Sequence, residues 1–182
     1  MRKRKRQIAP GGARYLRWND CVDSNSPVNT RMDPRHLSED FRDFLICLNE
    51  ASVEYLIVGG HAVAYHRYVP PTQDLDVWIA VSDANADKLV KAVEAFFGVE
   101  LKGLTKEWFL DRENVTRFGA APQLIEIVPT ISGGNFPEAY ARRVVARIDG
   151  QDANLISLQD LLANKRASGR LKDVADVDEL TK

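Results

Sequence analysis

Three carboxylates stand inside apolar segments where a soluble protein would normally place core residues. Asp74 and Asp76 lie in "DLDVWIA" (residues 74–80), and Glu126 lies in "LIEIV" (residues 124–128). Read as strands, these segments alternate: Leu75, Val77 and Ile79 take one side while Asp74 and Asp76 share the other, and Ile125 and Ile127 oppose Glu126. Two anions about 7 Å apart along a strand repel each other, and withdrawing either from water is costly unless a cation or donors meet it. A divalent cation answers that objection. Oxygen-only ligands suit Mg²⁺, with Mn²⁺ as a substitute, rather than Zn²⁺, which favours His or Cys. Three acids can hold two ions, one activating a hydroxyl and one steadying a triphosphate and its leaving pyrophosphate.

A second feature belongs with phosphate. "LIVGGHAVAYHR" places Gly59 and Gly60 between a strand and a helix, where backbone N–H groups can approach a phosphate and the helix terminus adds partial positive charge. No Gly-Lys-Ser/Thr follows, so this is no P-loop, and G-x-G-x-x-G is absent, so it is no dinucleotide fingerprint. His61 at the helix start and Thr72 before the acidic strand are further candidates for touching the nucleotide, although Thr72 has a plain alternative in shaping the turn. Lys165 leads a basic cluster with Arg166, Arg170 and Lys172 that can meet a triphosphate or a nucleic acid; the alternative is ion pairing with Asp160, Asp173 or Asp176. His66 reads as a packing or capping residue, and Trp78, on the aspartate side, as a packing residue with base stacking as its alternative.

The elements that must carry these groups read as α/β. Ser38 caps a first helix with Phe41, Phe44, Leu45 and Leu48 at helical spacing, and residues 54–58 form a short buried strand before the glycines. A helix after "SDANAD" carries Leu89, Val90, Val93, Phe96 and Phe97 and stops at Gly98. "NVTRFG" and "QLIEIVPT" are extended, and "ISGGNFPEAYARRVVARIDGQDANLIS" reads as a loop, a helical turn and a hairpin around Asp149-Gly150. Ser157 caps a helix that Gly169 breaks, and a last helix presents Val174, Val177 and Leu180. The expectation is one domain over residues 32–182, a short mixed sheet backed by helices with a helical C-terminus.

Charge divides the chain. Residues 1–31 hold eight basic and two acidic residues, leaving 17 basic and 24 acidic in the remainder. The first part, with its "PGG" and no sustained period, reads as a flexible basic tail, either a solvated extension ahead of a true start at Met32 or an RNA-binding arm. The acidic remainder argues against a duplex DNA face. Cys21 and Cys47 are too few for a disulfide scaffold and lack zinc spacing. With no apolar signal or membrane stretch, a cytoplasmic location is expected.

Strand, diglycine, helix, thirteen residues, D-x-D strand and a later strand acid form a restrictive combination. Val58-Gly59-Gly60, Asp74-Leu75-Asp76-Val77 and Glu126 resemble the DNA polymerase beta-like nucleotidyltransferase superfamily. With "VEYLIVGGHAVAYH", "TQDLDVWI", "LIEIVPTISG" and "LQDLLANKRASGRLKDVADVDEL", most of residues 38–180 is similar to the small bacterial nucleotidyltransferases of the AbiEii/AbiGii toxin type. That resemblance implies the nucleotidyltransferase fold and transfer of a nucleoside monophosphate from a nucleoside triphosphate, ATP among them, to an acceptor hydroxyl on a tRNA, a protein or a small molecule. It also implies Mg²⁺ held by Asp74, Asp76 and Glu126, and a toxin–antitoxin partner. Two departures stand out: "PPTQD" replaces an Arg that relatives often carry before the acidic strand, and the third acid is Glu where Asp is common. Two rival readings differ in kind: a non-catalytic nucleotide-binding or antitoxin-like partner with the same fold, and a phosphoester hydrolase.

Overall fold

Alternating short apolar strands and amphipathic helices build one mixed sheet with helices on both faces in the computed structural model, which describes residues 7–8, 15–17, 37–67, 73–120 and 123–182. In chain order these are β1 (Gln7–Ile8), β2 (Tyr15–Arg17), α1 (Glu39–Glu50), β3 (Tyr55–Val58), α2 (Gly59–His66), β4 (Asp74–Ile79), α3 (Asp83–Phe97) and α4 (Lys106–Leu110). There follow β5 (Thr116–Ala120), β6 (Gln123–Val128), α5 (Phe136–Ala141), β7 (Val144–Ile148), β8 (Gln151–Leu155), α6 (Leu158–Ser168) and α7 (Leu171–Leu180). Of the expected tail, only β1 and β2 fall within the described residues; Cys21, Met32 and Thr72 lie outside them.

The strand order is β1-β2-β5-β6-β4-β3-β8-β7. Hairpins supply the antiparallel pairs β5/β6 and β7/β8, β3 and β4 are also antiparallel, and β4/β6 and β3/β8 run parallel. Strands β4 and β6 are therefore interior, so their carboxylates are not the solvated side of an edge strand.

Alternation divides the core in two. Leu75, Val77, Ile79, Ile125 and Ile127 join Phe41, Phe44, Leu45 and Leu48 of α1 and Leu89, Val93, Phe96 and Phe97 of α3 in the larger cluster. On the opposite face Leu56, Val58 and Trp78 pack with Ala62 and Val63 of α2, Ile156, Leu161 of α6 and Leu180 of α7. The acidic side chains belong to this second face, under α2, α6 and α7.

Local chemistry sets the ends of the helices. Ser38, Ser82 and Ser157 accept hydrogen bonds from the amides of Phe41, Asn85 and Asp160, and Gly98 and Gly169 close α3 and α6 in the left-handed conformation. Asn85, 2% exposed, accepts from the Glu54 amide at 2.7 Å and donates to the carbonyls of Glu54 and Ala80 at 3.1 and 2.9 Å. It pins the start of α3 to the ends of β3 and β4. The last helix departs from expectation: Leu180 is buried, but Val174 is 52% exposed. Helix α4, five residues long, is too short to leave a periodic signal in the sequence.

Candidate functional site

Sheet register, rather than sequence proximity, assembles the site. Val58 pairs with Asp76 across β3/β4, Asp76 with Glu126 across β4/β6, and Glu126 with Arg117 across β6/β5. These four residues form one row across the sheet on one face, and Asp74 lies two residues along β4. Glu126 thus projects from the same face of the sheet as the aspartates, as the alternation of "LIEIV" requires.

Val58, Asp76 and Glu126 of this row floor a cavity of about 650 Å³ whose walls include Gly59 and Gly60, Ser132 and Asn164, and Lys165, Arg170 and Lys172. Asp74, Asp76 and Glu126 all line it. Burial raises the Asp76 carboxyl, and the charges of Glu126 and then Asp74 raise it further, to about 6, against weaker opposition from Lys165 and Lys172.

Gly59 is needed where it stands. Its φ is +62°, and a side-chain Cβ there would overlap Asp76 Oδ2. Helix α2 begins at this glycine without a side-chain cap, so its first-turn amides are left to the cavity. A backbone amide cradle on one wall and a carboxylate floor beneath it can take a phosphate and a hard cation together.

The remaining expected residues separate. Lys165 lines the cavity, but its ammonium is buried between Asp173 at 2.6 Å and Asp176 at 2.7 Å, which ties α6 to α7. Burial pushes the Asp173 carboxyl up, yet hydrogen bonds from Lys165, Ser168 and Arg170 outweigh it and hold the group at about 2. His61 is not brought to the cavity. It is 8% exposed and packs edge-on against Phe41 at 5.6 Å, Nε2 has no hydrogen-bond partner among the described residues, and burial lowers its pKa to about 4. The helix turns that face of α2 toward α1, which the sequence position alone does not reveal. His66 Nε2 lies 2.8 Å from the carbonyl of Ile156, just past β8. Trp78 is 2% exposed, donates to the Pro129 carbonyl and packs edge-on against Phe136, so it is a packing residue.

Arg117 is the site residue the sequence reading missed. Its Nε donates to Glu126 Oε2 in a close ion pair. A signal was present: Phe118 is apolar, so Arg117 must face the other way, and pairing Ala120 with Gln123 brings Arg117 opposite Glu126.

The donor set fits a hard cation in chemistry, being all carboxylate. Among the described residues, however, no three His, Cys, Asp or Glu side chains stand close enough together to hold a metal ion as placed. Asp74 and Asp76 face the cavity, while Glu126 is drawn to Arg117. No helix of the described residues is long and apolar enough to cross a membrane.

No protein-family model matches the chain, and no curated protein matches its sequence. A solved structure described as an antigenic nucleotidyltransferase-like protein from Paracoccidioides brasiliensis is similar to it at 21% identity and a TM-score of 0.47, covering 78% of this chain and 74% of that one. A likeness of that size carries no functional weight, so the cavity itself must support any assignment.

Proposed function

We propose that the chain is a divalent-metal-dependent nucleotidyltransferase that moves a nucleoside monophosphate from a nucleoside triphosphate to an acceptor hydroxyl. The observation that carries this reading is the single row in which Asp76 and Glu126, with Asp74 beside them, face a cavity walled by the uncapped diglycine turn. Asp74, Asp76 and Glu126 would hold Mg²⁺ or Mn²⁺, whose chemistry is to offset charge on the triphosphate and leaving group and to acidify the attacking hydroxyl. The amides of Gly59 and Gly60 would receive phosphate oxygens, and Lys172 and Arg170 would add positive charge at the rim. The acceptor oxygen would bond to the α-phosphorus as the bond to the β-phosphate oxygen breaks, releasing pyrophosphate.

A second reading has its own support. Because Glu126 is engaged by Arg117 and no complete metal trio is assembled, the same cavity suits a protein that binds a nucleotide without turning it over, as a partner in a toxin–antitoxin pair would. The two separate in one experiment. α-Labelled nucleoside triphosphates, Mg²⁺ and total RNA or cell lysate are incubated with wild type, Asp74→Ala and Asp76→Ala. The transferase reading expects labelled RNA, protein or small molecule from wild type alone; nucleotide binding with no transfer to any acceptor supports the second reading. Free phosphate with no labelled acceptor would instead indicate a hydrolase.

A further inference from the structure

We infer that Arg117 is a built-in counter-ion that competes with the divalent cation for Glu126, so that loading the site requires the guanidinium to give up the carboxylate. This rests on the nucleotidyltransferase reading and concerns a residue that reading does not use.

The geometry of the row points to it. Arg117 and Glu126 are direct partners across β5/β6, and Glu126 and Asp76 are direct partners across β6/β4, so one carboxylate stands between a cation on one strand and an anion on the next. Side chains directly opposite on neighbouring strands lie about 5 Å apart at Cβ, within reach of each other on either side. Glu126 has taken the cationic side. Its Oε2 accepts from Arg117 Nε, and the acids on β4 and β6 do not close into a trio.

Placement of the charges makes the competition physical. A guanidinium stays protonated throughout the accessible pH range, so Arg117 cannot vacate its role by losing a proton. A metal ion taking the same carboxylate oxygen displaces that hydrogen bond and meets a fixed positive charge across the strand. The pair is partly exposed, with side-chain accessibilities of 39% for Arg117 and 26% for Glu126, so a surface ion pair of this type contributes little to folding. That leaves the exchange between two cations as the consequence with a measurable size. It also accounts for how an interior strand tolerates Glu126 beside Asp76 before any cation arrives.

Calorimetric titration of Mn²⁺ into the nucleotide-free full chain tests this, comparing wild type with R117Q, R117K, E126Q, R117Q/E126Q and D76N. Couplings between two sites typically amount to 5–150-fold, and R117Q is expected to bind Mn²⁺ about tenfold more tightly than wild type, with R117K close to wild type. In R117Q/E126Q the gain should vanish. Mn²⁺ binding that is present in wild type, lost in D76N and unchanged or weaker in R117Q overturns this inference while leaving the metal site standing. Absence of binding in every variant overturns both. A readout on the unaltered chain covers the case in which R117Q does not fold: the Arg117 Nε–H resonance, held by Glu126 without metal, is expected to shift or exchange faster at saturating Mg²⁺. An unmoved resonance in Mg²⁺-loaded protein contradicts the exchange.

Discussion

Asp76→Asn should make the metal-free protein more stable, and the size of the gain follows from the cavity. Burial and the neighbouring charges of Glu126 and Asp74 raise the Asp76 carboxyl from 3.8 to about 6. A shift of roughly two units corresponds to about 3 kcal/mol between the two protonation states, an upper value because asparagine keeps the shape and removes only the charge. Since the folded-state pKa lies above the unfolded one, the stability from this group is complete below about pH 4 and lost as pH rises through about 6. The penalty is then full at neutral pH. Asparagine does not ionise, so the advantage of Asp76→Asn should be greatest at pH 7.5 and should close between about pH 6 and pH 4. At 2–4 °C per kcal/mol for a chain of this size, the gain is about 6–12 °C in Tm. Thermal unfolding followed by circular dichroism in EDTA, at pH 7.5 and at pH 4, measures it. Adding Mg²⁺ should narrow the gap by stabilising wild type alone, since a ligand stabilises only the form that binds it. A variant no more stable than wild type at pH 7.5, or a gap of equal size at both pH values, would refute the electrostatic account of Asp76.

Three further substitutions separate position from charge. Gly59→Ala forces a side chain into a left-handed turn at a cost of about 1–2 kcal/mol and drives it into Asp76 Oδ2, so metal binding and transfer should both be lost. Gly169→Ala, at a similar φ of +64° but with open space around it, should lower the melting temperature slightly and leave metal binding intact. Lys165→Met takes the buried cation from Asp176 and leaves Asp173 only Arg170 and Ser168, and should destabilise the chain by about 3–5 kcal/mol in a urea titration; an unchanged midpoint with weaker nucleotide binding would instead make Lys165 a substrate contact.

What the sequence made legible was whatever obeys a local period or a local cap. The opposition of Asp74 and Asp76 to Leu75 and Val77 follows from the two-residue repeat of a strand, and Ser38, Ser82, Ser157, Gly98 and Gly169 mark helix ends by their own hydrogen-bonding and conformational preferences. Residues whose role depends on long-range register were harder. Arg117 meets Glu126 only once the hairpin between β5 and β6 is aligned, and Lys165 is claimed by Asp173 and Asp176 only once α7 folds back on α6. His61 sits at a plausible position beside the glycines, yet helix α2 packs that residue against Phe41 of α1, a choice made by tertiary burial. Asn85 reads as an ordinary polar residue of a first helical turn until its three bonds to Glu54 and Ala80 are seen.

The most direct measurement is a crystal structure of the full chain with Mn²⁺ and a non-hydrolysable nucleoside triphosphate. The account predicts anomalous signal from manganese at the carboxylates of Asp74 and Asp76, with Glu126 released from Arg117, and triphosphate oxygens on the Gly59 and Gly60 amides. Nucleotide bound elsewhere, for instance in the separate cavity of about 620 Å³ beside Trp78 and Phe136, with no metal at the aspartates, would contradict it.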